Sequence, residues 1–239
     1  RHPDWLTNTY LVIDENSKKA ALVDAGAPVE SFIKCITERG LSLETIFLTH
    51  HHHDHVAGLD EWIRDFDVPI RCSAHDLNSF KGKTASLIDG EQIAVGELCF
   101  EAIATPGHTH GHFCFSVSNK VIFTGDLIFR GSVGGTVSPG QGDYKALKSS
   151  ILTRIMTYPE TTLLYPRHME VTTIESELEH NPFVLYWNGS LSALNTPCSV
   201  RSISADILVR AKDYDGGEKL LVSYSKGKLE IVPGSWLNA

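Results

Sequence analysis

No run of lysine or arginine breaks this sequence, and with histidines counted neutral its net charge is −8. Phosphate binding needs a basic stripe, so no nucleic-acid partner is expected. No apolar stretch approaches the length of a membrane span, so no membrane partner is expected either. Arg1-His2-Pro3-Asp4 carries no apolar signal region. Cysteine is sparse: Cys35, Cys72, Cys99, Cys114 and Cys198 make an odd set with no C-x-x-C pair. That argues against a disulfide framework and suits reduced, mostly buried thiols in a cytoplasmic protein. What is left is an ordinary globular composition, 42% hydrophobic and 21% charged. At 239 residues the chain has room for one domain with an appendage, or for two small domains.

Histidine is the residue in excess. There are 12, and many fall in two short stretches, His50 to His55 and His108 to His112. Clustering of this kind points to metal before surface decoration. The elements around them can be read from apolar spacing. β-type runs at 9–13 and 20–23, parted by Asp14-Glu15-Asn16-Ser17, predict a hairpin. Val29, Phe32, Ile33 and Ile36 predict a helix over 28–39, closed by Gly40. The run 45–48 is a buried strand leading straight into the first histidines, and Leu59, Trp62, Ile63 and Phe66 predict a helix behind them. Further strands are predicted at 69–73, 91–95, 99–104, 113–117, 121–124 and 162–165, with helices at 145–156 and 173–180. The segment 131–142 reads as a glycine-rich loop and 182–196 as a linker. Runs at 205–211, 219–225 and 228–232, around an Asp215-Gly216-Gly217 turn, read as a small β appendage. Short turns between many strands predict α/β layers with mixed sheets.

A loop leaving a strand end can turn several side chains toward one point. In His50-x-His52-x-Asp54-His55, His50 and His52 can supply imidazole nitrogens to one metal while Asp54 and His55 face a second. The embedded aspartate separates this run from a fortuitous histidine tract. His51 and His53 fill spacer positions. In Thr105-Pro106-Gly107-His108 the Pro-Gly turn can present His108 inward; His110 and His112 alternate with it, and one of the set can face the cleft, though the ordinary polar reading is favoured for each. Asp126 ends an apolar strand in Thr124-Gly125-Asp126, placed either to bridge two cations or to close a turn. His168 follows a strand and a proline turn in the same grammar. Asp24, in Asp24-Ala25-Gly26, either orients a ligand or its loop, or is a plain turn residue.

The combination resembles the metallo-β-lactamase-fold hydrolases. The resemblance rests on Asp24-Ala25-Gly26, the T-H-x-H-x-D-H-x-x-G run from Thr49 to Gly58, Thr105-Pro106-Gly107-His108-Thr109, Thr124-Gly125-Asp126 and His168, in that order. It implies a four-layer αββα sandwich over residues 1–183, with 184–239 left as linker and β-rich appendage. It implies that His50, His52 and His108 hold one metal, that Asp54, His55 and His168 hold the other, and that Asp126 bridges. Two divalent ions per chain are implied, zinc first, with iron or manganese as the other candidates. Within the superfamily the chain looks most similar to the glyoxalase II group, on Phe129-Arg130-Gly131-Ser132-Val133-Gly134-Gly135 and Thr172-Thr173-Ile174-Glu175-x-Glu177-x-x-x-Asn181-Pro182-Phe183. It departs from that group in four places: Thr136-Val137 after the glycines, Arg167-His168-Met169 around the last histidine, His112 where serine is common after Thr109-x-Gly, and a β-like tail where a helical substrate domain would stand.

The implied activity is hydrolysis of a thioester or ester of a small molecule by a metal-activated hydroxide, with Asp54 as the catalytic carboxylate. A lactonase or other carboxylic-ester hydrolase, a β-lactamase and a mononuclear iron persulfide dioxygenase are the rival chemistries. A metal-binding scaffold whose tail pairs two copies as a homodimer is the non-enzymatic rival. No substrate-binding residue can be named from the sequence.

Overall fold

The computed structural model describes residues 6–137, 140 and 142–237. Its first sheet runs in the order β1 (Tyr10–Asp14), β2 (Lys19–Val23), β3 (Ser42–Phe47), β4 (Ile70–Cys72) and β5 (Thr84–Ser86). β1 and β2 form the expected antiparallel hairpin, and the remaining pairs are parallel. Parallel neighbours need crossovers. These are α1 (Glu30–Arg39) before β3, α2 (His53–Val56) with α3 (Leu59–Asp65) before β4, and a segment with a 3-10 turn at Leu77–Ser79 before β5. The second sheet opens as an antiparallel meander of β6 (Gln92–Val95), β7 (Leu98–Ala104), β8 (Phe113–Val117) and β9 (Val121–Gly125). A short ribbon, β10 (Ile128–Phe129) with β11 (Ser132–Val133), stands apart from it. β12 (Leu163–Pro166) then joins parallel to β9, and β13 (Thr172–Thr173) closes the edge.

Three apolar clusters stack these pieces into layers. Ala21, Val23 and Phe47 of the first sheet meet Phe100, Phe115 and Phe123 of the second, so the sheets pack face to face. The outer face of the first sheet, with Leu22 and Ile46, is covered by Ile36 of α1 and Leu59 and Trp62 of α3. The outer face of the second, with Ile103, Ile122 and Leu164, is covered by α4 (Tyr144–Ser149), α5 (Ile174–His180) and α6 (Pro182–Trp187). The result is the αββα sandwich that the family resemblance implied.

Beyond α6 lies an antiparallel four-stranded sheet: β14 (Thr196–Val200), β15 (Ile203–Lys212), β16 (Glu218–Tyr224) and β17 (Leu229–Pro233). Leu208, Val209, Leu221 and Ile231 from one face join the same cluster as α4 to α6. Ile207, Leu220, Val222 and Val232 from the other face form a cluster with Trp236.

Several sequence expectations are corrected. The helix expected over 145–156 widens into a π-helical stretch at Ser150–Ile155. The linker expected from Pro182 begins with α6, whose Phe183 and Val184 are fully buried. Asn181 caps that helix, its Oδ1 accepting from the Phe183 and Val184 amides, with Pro182 in the first turn. The glycine-rich segment contains β11, and β14 lies partly in the supposed linker. All five cysteines are free, but only Cys72 and Cys114 are buried, while Cys99 is exposed. No helix of the described residues is long and apolar enough to cross a membrane.

Phe47 is fully buried between the sheets, with its ring 4.9 Å from Phe100 and 4.8 Å from Phe115. Phe47→Ala should leave a cavity between the sheets and lower unfolding free energy by about 3–5 kcal/mol in urea titration. A midpoint unchanged from the parent would contradict this packing.

Candidate metal centre

Strand ends from both sheets deliver the polar residues to one edge of the sandwich. β2 ends at Val23 and the next residue, Asp24, adopts a left-handed φ of 57° while its amide donates to the Phe47 carbonyl at the end of β3. Asp24 is thereby turned under the histidine loop. Its Oδ1 accepts from the Thr49 amide at 2.9 Å, and its Oδ2 lies 3.0 Å from His55 Nδ1. In the second sheet, β9 ends at Gly125 with φ 50°. A Cβ there would come within 2.8 Å of His112 Nε2 and of Thr49, so only glycine lets this strand deliver Asp126.

Two groups of donors meet at Asp126. In the first, His52 Nδ1 lies 2.9 Å from His50 Nε2 and 3.0 Å from His108 Nε2, and His108 Nε2 lies 3.4 Å from Asp126 Oδ2. All four donors fall within 4.8 Å of one another. In the second, His55 Nε2 lies 3.2 Å from Asp126 Oδ1 and 3.8 Å from Asp54 Oδ2, while His168 Nε2 is 3.7 Å from both carboxylates. The structure thus brings together all seven residues that the resemblance marked as ligands. It places Asp24 behind His55. His51 instead faces Asp76 at 2.9 Å, and His53 and His110 are exposed.

These groups fit cations and do not fit one another. His108 Nδ1 donates to the Gly135 carbonyl at 2.7 Å, which leaves Nε2 a bare lone pair facing His52. Imidazole nitrogens this close cannot all be satisfied by shared protons. His55 Nε2 and Asp126 Oδ1 are buried 3.2 Å apart but do not form a well-aligned hydrogen bond. Burial, reinforced by the neighbouring histidines, holds His50 well below the usual imidazole range. Burial likewise pulls His108 down to about 3 against the opposing pull of Asp126, so its ring is a neutral donor at any ordinary pH. At His55 burial also works against charge, but Asp24 and Asp126 outweigh it and raise the ring to about 9. Asp24 and Asp126 therefore favour positive charge at this corner of the site. Nitrogen and carboxylate donors in this arrangement suit zinc, iron or manganese.

Sequence reading missed the residues that brace this set. His112, left there as an ordinary polar residue, is buried between Thr105 Oγ1 at 2.9 Å and the Asp126 amide, which donates to its Nε2 at 3.2 Å. Burial lowers it to about 4 and keeps that nitrogen an acceptor. Arg167 is fully buried and donates to the carbonyls of Asn8 and Asp54. A Cβ on Gly26 would collide with both the Asp54 carbonyl and the Arg167 guanidinium, which explains that glycine. Glu177 accepts from the Gly131 amide at 2.9 Å and from Asn181, whose amide also donates to the Ser132 carbonyl. The motif from Thr172 to Phe183 is thus a clamp on the loop beside the metal site. A cavity of about 530 Å³ opens over the donors, and the C-terminal sheet supplies Tyr214, stacked on the His168 ring at 3.7 Å and 8°. Nothing in the spacing of the tail signalled that contact.

Comparison with known proteins agrees with this geometry. Residues 2–168 match the model of the metallo-beta-lactamase superfamily. The hydroxyacylglutathione hydrolase GloC of Haemophilus influenzae is 32% identical over 197 residues, which cover 74% of this chain and 92% of that protein. Among solved structures, ETHE1 from Myxococcus xanthus is 30% identical with a TM-score of 0.68, covering 75% of this chain and 80% of that one. TTHA1623, solved in a di-iron-bound form, is 31% identical with a TM-score of 0.66, covering 77% and 98%. The histidine and aspartate cluster is a divalent-metal site.

Asp24→Asn removes the carboxylate that fixes the His55 ring, and metal affinity should fall about 10–100-fold in competition with a chelator. In the parent, binding must displace the His55 proton, so affinity should rise with pH up to about 9. An Asp24→Asn variant that keeps full affinity, or a parent affinity flat in pH, would contradict the arrangement.

Proposed function

The chain belongs to the metallo-beta-lactamase superfamily, and from that premise we propose that it is a two-metal hydrolase of thioesters or esters, of the glyoxalase II kind. The observation that carries this reading is the second donor group, where His55, His168, Asp54 and one oxygen of Asp126 converge beside the first. His50, His52 and His108 would hold one ion, Asp54, His55 and His168 the other, and Asp126 would bridge them. Zinc is the proposed metal, with iron the alternative that the di-iron form of TTHA1623 supports.

When bound, the cations polarise a carbonyl and lower the pKa of water toward neutrality. The chain's own residues do the rest. Asp54 lies on the cavity wall with its backbone carbonyl fixed by Arg167, so its carboxylate is aimed and partly open to solvent. It orients the attacking water, takes its proton, and returns that proton to the leaving thiolate or alkoxide as the C–S or C–O bond breaks. His112 holds the Asp126 backbone, and Asp24 holds His55, so neither carboxylate nor ring needs to reorganise during the reaction.

A second reading, a mononuclear iron persulfide dioxygenase, is supported by the tight grouping of His50, His52, His108 and Asp126 and by the likeness to ETHE1. The two are separated by reaction. The proposed hydrolase should lose thioester cleavage on chelation and regain it with zinc, iron or manganese, and Asp54→Asn should lower kcat by about 10²–10⁴-fold. Cleavage that survives both treatments contradicts the hydrolase, and oxygen uptake with a persulfide by the iron-loaded protein establishes the alternative.

A further inference from the structure

We propose that the C-terminal sheet, rather than the metal-bearing loops, selects the substrate, by closing the cavity with a self-neutralised aromatic wall that takes an uncharged, apolar group remote from the reacting carbonyl. The mention of that carbonyl rests on the hydrolase reading above. The wall itself rests on three independent contacts.

The first is the tip of the β15–β16 hairpin, where Asp213, Tyr214 and Asp215 enter the cavity lining. Tyr214 lies flat on His168, and Phe129 meets the His168 and Tyr214 rings near edge-on, at 5.5 and 6.4 Å. Aromatic side chains thus line the floor beside the metal site. The second contact ties the glycine-rich loop to the same sheet. The Thr136 amide donates to the Ile231 carbonyl at 3.0 Å, and the Ile231 amide donates to Thr136 Oγ1 at 2.9 Å. β17 therefore holds the loop that carries Gly134 and Gly135, and Pro233 and Val137 extend the apolar wall. The third is charge. Lys219 is the one lysine or arginine among the described lining residues, and its Nζ sits 2.9 Å from Asp213 Oδ2 with both side chains buried. That cation is already matched. Asp215 adds a further negative charge at the rim, with Oδ1 accepting from the Gly217 amide.

A substrate with a carboxylate at its remote end would have to bury that charge against aromatic rings with no unmatched lysine or arginine among the described lining residues to receive it, which is costly. An apolar end would be covered by Tyr214, Pro233 and Val137 and gain by leaving water. The sheet that lies outside the superfamily match is thereby the part that gives the enzyme its choice of substrate.

Hexanoate and adipate test this directly. Both present a carboxylate to the metals at equal chain length, and they differ in ending on a methyl or a second carboxylate. Calorimetry on the metal-loaded full chain should show hexanoate binding about tenfold tighter or more. Tyr214→Ala, checked for unchanged metal content, should abolish that preference by weakening hexanoate. Asp213→Asn frees Lys219 and should tighten adipate by about tenfold. Adipate binding as tightly as hexanoate in the parent, no hexanoate binding, or a preference that survives both substitutions would overturn the proposal. The assay needs no turnover. Absence of thioester cleavage would therefore sink the hydrolase reading and leave this one standing, while an adverse binding result would do the reverse.

Discussion

Asp126 directs one carboxylate oxygen toward His108 and the other toward His55, at 3.4 and 3.2 Å, from a position almost closed to water. A carboxylate taken out of water is costly unless positive charge replaces the solvent. Burial pushes its pKa up, yet His55 above all holds it well below the ordinary carboxylate range. The same logic read from His55 gives a ring raised to about 9 by Asp24 and Asp126. Both groups ask for a cation between them. The rest of the edge of the sandwich can be understood as what is needed to keep them in place while they wait for one.

That scaffolding is largely backbone. Asp24 and Gly125 take left-handed φ values at the ends of β2 and β9, which turns two strands sharply enough to bring their carboxylates under the histidine loop. Asp126 is then gripped through its own amide by His112, and Asp54 through its carbonyl by Arg167. Neutral His112 and cationic Arg167 serve different ends: one accepts a hydrogen bond without adding charge, the other offsets the carboxylates of Asp24, Asp54 and Asp126. Glu177 and Asn181 extend the grip to the loop over the site, from a helix pair on the opposite face of the second sheet. Fold and site are coupled, because the clamp exists only if α5 and α6 are packed.

The sandwich and the full donor set were legible through the family resemblance, carried by motifs that each lie just past an apolar strand. The residues alone pointed to metal at His50, His52, Asp54 and His55, and left Asp126 between a bridging role and a plain turn. The bracing was not legible. His112 looked like one polar residue among several, and only the pairing of β8 with β9 brings it to the Asp126 amide. α6 falls in the segment that reads as linker from Pro182, although Asn181 and Pro182 are an N-cap and a first-turn proline. The tail's strands could be seen in their apolar alternation, but the meeting of Tyr214 with His168 depends on how two sheets dock, which no local pattern encodes.

The proposed two-metal hydrolysis turns on Asp126 serving two cation sites rather than one. Titration of the metal-free chain with zinc, followed by elemental analysis after removal of excess ion, measures this most directly. Two equivalents retained per chain is the predicted result. Saturation at a single equivalent, with the His55 and His168 side left empty, would contradict it.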